Sequence, residues 1–97
     1  MRIRWTPAAA ADLQQISDYL KDHHPRYRQP TMRQIYEAVR ALKQWPLRGR
    51  IGREEGTREL LFSLLPYVAV YRFAKERIEV LRIYHGAQDR HAAQDRP

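Results

Sequence analysis

No cysteine occurs in the 97 residues, which excludes a disulfide framework, cysteine-ligated zinc and a thiol nucleophile. Lysine is nearly missing as well: Lys21, Lys43 and Lys75 are the only three, so fifteen of the eighteen basic residues are arginine. No apolar run approaches the roughly 18–20 residues of a membrane span, and Met1 to Pro7 reads as structured chain rather than as a signal peptide. The expectation is a soluble, cytoplasmic protein with no membrane partner.

What is there suits one domain over 1–97, with 91–97 expected as a flexible tail; 43% of the residues are hydrophobic and 30% charged. The net charge is +7 and it is unevenly spread. Residues 1–25 are neutral, 26–58 hold nine cations against three carboxylates, and 59–97 contribute only +1. Arginine presents a planar fork of donors suited to phosphate and carboxylate, so the middle of the chain is where an acidic or polyanionic partner is expected.

Arg2-Ile3-Arg4-Trp5 alternates with period two, as a short strand with Ile3 and Trp5 facing inward. Thr6 suits a helix cap and Pro7 the first helical position, which predicts a helix to about Asp22 with Ala9, Leu13, Ile16 and Leu20 on one stripe. His23-His24-Pro25 breaks it. A second helix follows, either opened by Pro30 or beginning near Arg26 and kinked there, with Met32, Ile35, Tyr36, Val39 and Leu42 on one face until Trp45-Pro46. Residues 47–56 read as a polar loop in which no core can form.

Three strands are then predicted, Thr57 to Phe62, Tyr67 to Phe73 and Ile78 to Tyr84, the last central because it is apolar on both faces. The fold class is α+β, ordered β-α-α-β-β-β, with a helical hairpin on an antiparallel sheet.

Several residue groups have plain structural readings. Tyr67 and Tyr71, four apart on a strand, are read as core or cross-strand packing rather than base stacking. His23, His24, His85 and His91 lack metal-ligand spacing, so no metal is expected. Asp12, Asp18 and Asp22 are read as a solvated helix face. His85, just after the last strand, is read chiefly as closing the sheet end, with catalysis or partner contact as the other uses.

The strand with Trp5, the two helices, Arg48-Gly49-Arg50, Gly56-Thr57-Arg58-Glu59-Leu60, Pro66-Tyr67-Val68-Ala69-Val70-Tyr71-Arg72, Ile78 to Ile83 and His85-Gly86-Ala87-Gln88-Asp89 together resemble the RelE/ParE superfamily of bacterial type II toxins. The resemblance runs in family order from Met1 to about Arg90. It implies a toxin neutralised by a cognate antitoxin, with no cofactor. The ParE branch implies inhibition of DNA gyrase; the RelE branch implies a metal-independent endoribonuclease acting on mRNA in the ribosome.

Against the nuclease pattern, Leu60, Val68 and Gln88 stand where further basic residues are expected, and no tyrosine follows Arg90. Arginine is a poor base, so a nuclease here would rest on Arg58 and Arg82 as phosphate stabilisers and His85 as acid or base. The His-Gly-Ala-x-Asp ending is commoner in ParE-like members, and the expectation leans to gyrase. The residues expected to contact target or nucleic acid are Arg48, Arg50, Arg53, Arg58, Arg72, Arg82, His85 and Arg90. A non-toxic module that only binds antitoxin or nucleic acid is the third reading. Pro30 stands where related chains continue the second helix.

Overall fold

The computed structural model describes residues 1–86, so Arg90, His91 and the tail expected over 91–97 lie outside the described residues. Strand β1 (Arg2–Trp5) ends at Thr6, whose backbone N–H donates to the Val80 carbonyl at 3.0 Å. The Thr6 hydroxyl donates to the Leu81 carbonyl and accepts from the Ala9 N–H at 3.1 Å, so one side chain closes the strand and caps the helix. Helix α1 (Pro7–His23) then buries Ala9, Leu13 and Leu20 along the expected stripe.

His24 alone joins α1 to α2 (Pro25–Arg40), which starts at its first proline and runs through the second. Pro30 neither opens nor ends this helix. It lies just past the first turn, where only the Arg26 carbonyl loses its helical donor, and residues 25–30 are all exposed, so water can replace that donor. Arg28 Nε donates to Ser17 Oγ at 2.9 Å and ties the two helices near their turn. Ile35 and Val39 are buried, as is Leu42 in the 3₁₀ turn Ala41–Lys43 that follows. Met32 packs against that core in part, and Tyr36, half exposed, stacks its ring 5.5 Å from Trp5.

Strands β2 (Arg50–Ile51), β3 (Arg58–Leu61), β4 (Tyr67–Ala74) and β5 (Arg77–His85) are sequentially antiparallel. β1 pairs with β5 in parallel, giving the order β1-β5-β4-β3-β2 and making β5 central over its first half. The 47–56 segment is more than a loop: it supplies the edge strand β2 and buries Gly49. That correction arises because arginines can line a sheet edge with their heads in water while the backbone pairs.

The helical hairpin covers one sheet face. Ile35, Val39, Leu42, Tyr71, Ile78 and Val80 form the centre of the core at 0–1% exposure, each aliphatic side chain contributing about 1.5–3 kcal/mol by burial. Between β4 and β5 the register slips: Val70 opposes Arg82 and Tyr71 opposes Val80, leaving Leu81 as a bulge. The slip brings Ile83 onto the buried set with Ile78 and Val80. The apolar residues on both faces of β5 thus reflect a change of phase as well as a central place.

Candidate functional site: two clusters on one sheet

Residues directly opposite each other in a ladder share a sheet face. Val80, Tyr71, Arg58 and Ile51 are linked in that way, on the face toward the helices; Arg82, Val70, Glu59 and Arg50 are linked on the other. Arg58 and Arg82 therefore lie on opposite faces, and His85, paired with Tyr67, sits four positions along β4 from Arg58's partner Tyr71. The sheet does not bring the three nuclease candidates to one point.

Arg58 belongs to a cluster that holds the chain between η-turn and β2. Its Nη1 donates to the Gly49 carbonyl at 2.8 Å and to the Leu47 carbonyl at 3.3 Å. Tyr71, fully buried, donates its hydroxyl to the Pro46 carbonyl at 2.7 Å and accepts from the Gly49 N–H at 2.9 Å. A Cβ on Gly49 would lie 2.7 Å from the Tyr71 ring and 2.9 Å from the Glu59 carbonyl, so only glycine fits this approach. Tyr71 is core, as its spacing suggests, but its hydroxyl serves the loop.

Arg82 belongs to the second cluster. Its guanidinium forks onto Asp12 at 2.7 and 3.1 Å, and the same carboxylate accepts the Ile83 N–H at 2.8 Å. Asp12 is thus not part of a solvated face; its side chain is 13% exposed and closes the bulged half of β5 where β1 no longer reaches. The hydrogen bond to Asp12 holds Arg82 firmly protonated, further up than an ordinary guanidinium. Arg82 also lies 5.0 Å over the Tyr84 ring.

The other arginines divide in the same manner. Arg50 pairs with Glu59 at 2.8 Å, and Arg4 with Glu79 at 2.5 Å. Arg72 is exposed and makes no hydrogen bond or ion pair among the described residues. Arg48 and Arg53 are exposed beside β2.

His85 turns its ring edge-on to Tyr67 at 5.8 Å. The sheet end that it was expected to close is fastened one residue later, where the Gly86 N–H donates to the Pro66 carbonyl. Tyr67 has its phenol pushed above the ordinary value, first by burial and second by neighbouring Tyr19. Between the hairpin turn and this end of β4–β5 opens a cavity of about 1340 Å³, lined among others by Ile16, Tyr19, Tyr27, Tyr67, Arg82 and His85. The rings of Tyr19 and His23 lie 4.5 Å apart on its helical wall. No group of three His, Asp or Glu among the described residues could hold a metal.

Sequence reasoning missed Asp12. Its signal was its place beside the buried stripe, three residues after Ala9 and one before Leu13, together with the three-residue step from Val80 to Ile83 that marks the bulge.

A small toxin of a bacterial type II toxin–antitoxin pair is the class that this hairpin-on-sheet architecture and these motifs define. Residues 3–90 match the family described as ParE toxin of the type II toxin–antitoxin system parDE, and the chain belongs to that family. The protein Y4kP of Sinorhizobium fredii is 37% identical over 87 residues, 90% of each chain. Toxin RelE2 of Caulobacter vibrioides is 32% identical, over 90% of this chain and 97% of its own. Among solved structures, the chromosomal ParDE system from P. aeruginosa superposes with a TM-score of 0.79 at 32% identity, covering 88% of this chain and 95% of that one. The RelBE2 toxin–antitoxin complex from Mycobacterium tuberculosis gives 0.58 at 27% identity, covering 87% and 95%. No described helix is long and apolar enough to cross a membrane.

Proposed function

We propose that this protein is a ParE-like toxin that stops replication by binding DNA gyrase as an inhibitor, without cleaving nucleic acid itself. The observation that carries the reading is the separation of Arg58 from Arg82 and His85, with Arg82 tied up by Asp12. Metal-free RNA cleavage needs a proton acceptor, donors around the developing phosphorane and an acid within reach of one phosphate. Here Arg58 is committed to two carbonyls at the β2 end, and Arg82, which lines the same cavity as His85, is committed to Asp12 of α1. Inhibition by binding asks only for a shaped, basic surface, and Arg48, Arg53 and Arg72 are exposed for it.

A cognate antitoxin keeps the toxin inactive, in keeping with the paired systems from P. aeruginosa and M. tuberculosis that share the fold. The aromatic cavity beside His85 suits a segment of that partner which folds on binding.

Titrating purified protein into a gyrase supercoiling reaction tests the reading. Supercoiling is expected to stop, cleaved gyrase–DNA complexes to accumulate, and added antitoxin to restore activity. Untouched gyrase together with mRNA cleaved in a translating ribosome would overturn it in favour of the RelE-like reading, which the identity to Toxin RelE2 keeps as the specific rival.

A further inference from the structure

One surface feature is left over by that function. Trp45, Leu47 and Ile51 are 64%, 59% and 75% exposed, an unusual density of large apolar side chains in water. Their backbone is nonetheless among the best fastened in the molecule. Between residues 46 and 49 the Pro46, Leu47 and Gly49 carbonyls and the Arg48 and Gly49 N–H groups all have partners: Tyr71, Arg58 and, for Arg48, the Trp45 carbonyl at 3.0 Å. Ile51 borders the same patch as the cross-strand neighbour of Arg58.

A flexible apolar loop could be solvent-driven disorder, but a rigid one with its side chains outward is organised in advance for contact, which lowers the entropy lost on binding. Tryptophan on such a support has the character of an interface anchor.

The surroundings specify the partner. From Ala38 to Arg48 the chain has three cations, Arg40, Lys43 and Arg48, and no Asp or Glu, whereas Arg50 further on is paired with Glu59. A second copy of a chain of net charge +7 would meet this patch with like charge. A phosphate backbone would use the cations and leave Leu47 and Ile51 unmatched. An acidic protein surface that offers an apolar group satisfies both, since Trp45, Pro46, Leu47 and Arg48 line a shallow hollow of about 580 Å³ that can seat such a group of a folded partner.

We propose that the Trp45–Leu47 knuckle is the surface by which the toxin docks onto its protein target, packing both side chains against an apolar group rimmed by carboxylates. The inference rests on the reading that the target is a protein, and it assigns that contact to Trp45 and Leu47, which do not line the cavity beside His85.

The test uses the full chain carrying Trp45→Ser with Leu47→Ser, and Leu64→Asn as a control at a fully exposed leucine in the distant 62–66 connection. Each is measured for thermal unfolding, gyrase inhibition and growth arrest on induction. The double variant is expected to unfold where the wild type does and to need about tenfold or more protein for the same inhibition, with growth arrest lost to match. The control is expected to behave as wild type.

If wild type inhibits gyrase and the double variant inhibits equally well, the knuckle is not the docking surface and the proposed function stands. Arrest that persists undiminished but escapes the antitoxin overturns the inference in the same way, by moving the knuckle to the antitoxin side. If the wild type itself leaves gyrase untouched and cleaves RNA, the function reading fails first and the docking surface falls with it.

Discussion

The two ends of the sheet use arginine in opposite ways. At the β2 end, Arg58 donates to neutral backbone carbonyls, so the loop is held and the positive charge is left standing. At the far end of β5, Arg82 meets Asp12, so the strand is held and the charge is cancelled. Both residues are scaffolding first, yet at the β2 end the clamp on the backbone itself cancels no charge, even though Arg50 beside it is paired with Glu59. A fixed structure and a strong field coexist only where the clamp acceptor is uncharged, and there the exposed tryptophan lies.

Replacing Tyr71 with Phe would break the β2 end alone. It leaves the core filled but strips partners from the Pro46 carbonyl and the Gly49 N–H, at a cost of about 2 kcal/mol in urea unfolding. Amide exchange is expected to quicken at Arg48 and Gly49 while the α1–β5 contact stays protected.

Asp12→Ala acts on the other end. The Arg82 side chain is 44% exposed and its pair correspondingly screened, so most of the loss comes from the Ile83 N–H, about 1 kcal/mol in all. Adding Arg82→Ala to it is expected to cost less than the two single changes combined, and a double-mutant cycle reads the difference. Additive costs would mean that the clasp holds nothing.

The smallest effect is in alkali. Tyr67 has a folded pKa above its unfolded value, so below pH 10 both states are protonated and the group is neutral to stability. As pH rises from the unfolded pKa through the folded one, the unfolded chain loses its proton first, and stability falls. Tyr67→Phe is expected to flatten that slope and to remove one phenol titrating above the ordinary value in an ultraviolet titration; an unchanged slope would place the shifted phenol elsewhere.

Much of this architecture is written locally. Thr6-Pro7 announces α1, the spacing of Ala9, Leu13 and Leu20 announces its buried face, and the three long strands follow from alternation between turns. The unreadable parts depend on partners far away in sequence. Nothing around Arg2–Trp5 specifies a parallel match with Arg77–Val80, and Pro30 looks like a break until the exposure of its neighbours is known. The turn after β4 was legible in place, between the second and third predicted strands, but not in type: Lys75 and Glu76 both adopt positive φ, 53° and 58°, where asparagine or glycine would ordinarily signal the bend.

The site was legible as a list and not as a geometry. Arg58 and Arg82 are alike as residues, and only cross-strand register assigns them to opposite faces. Asp12 was hidden for the same reason, since its partners are 70 and 71 residues on.

The parallel pairing of β1 with β5 also governs the order in which the toxin can come into being. Made before its partner, β1 waits for a mate more than seventy positions later, and the sheet cannot be completed until β5 has been synthesised. A nascent chain stopped before Arg77 is expected to have an unsealed core and no harmful shape, so the cell acquires the poison only once β5 has been made.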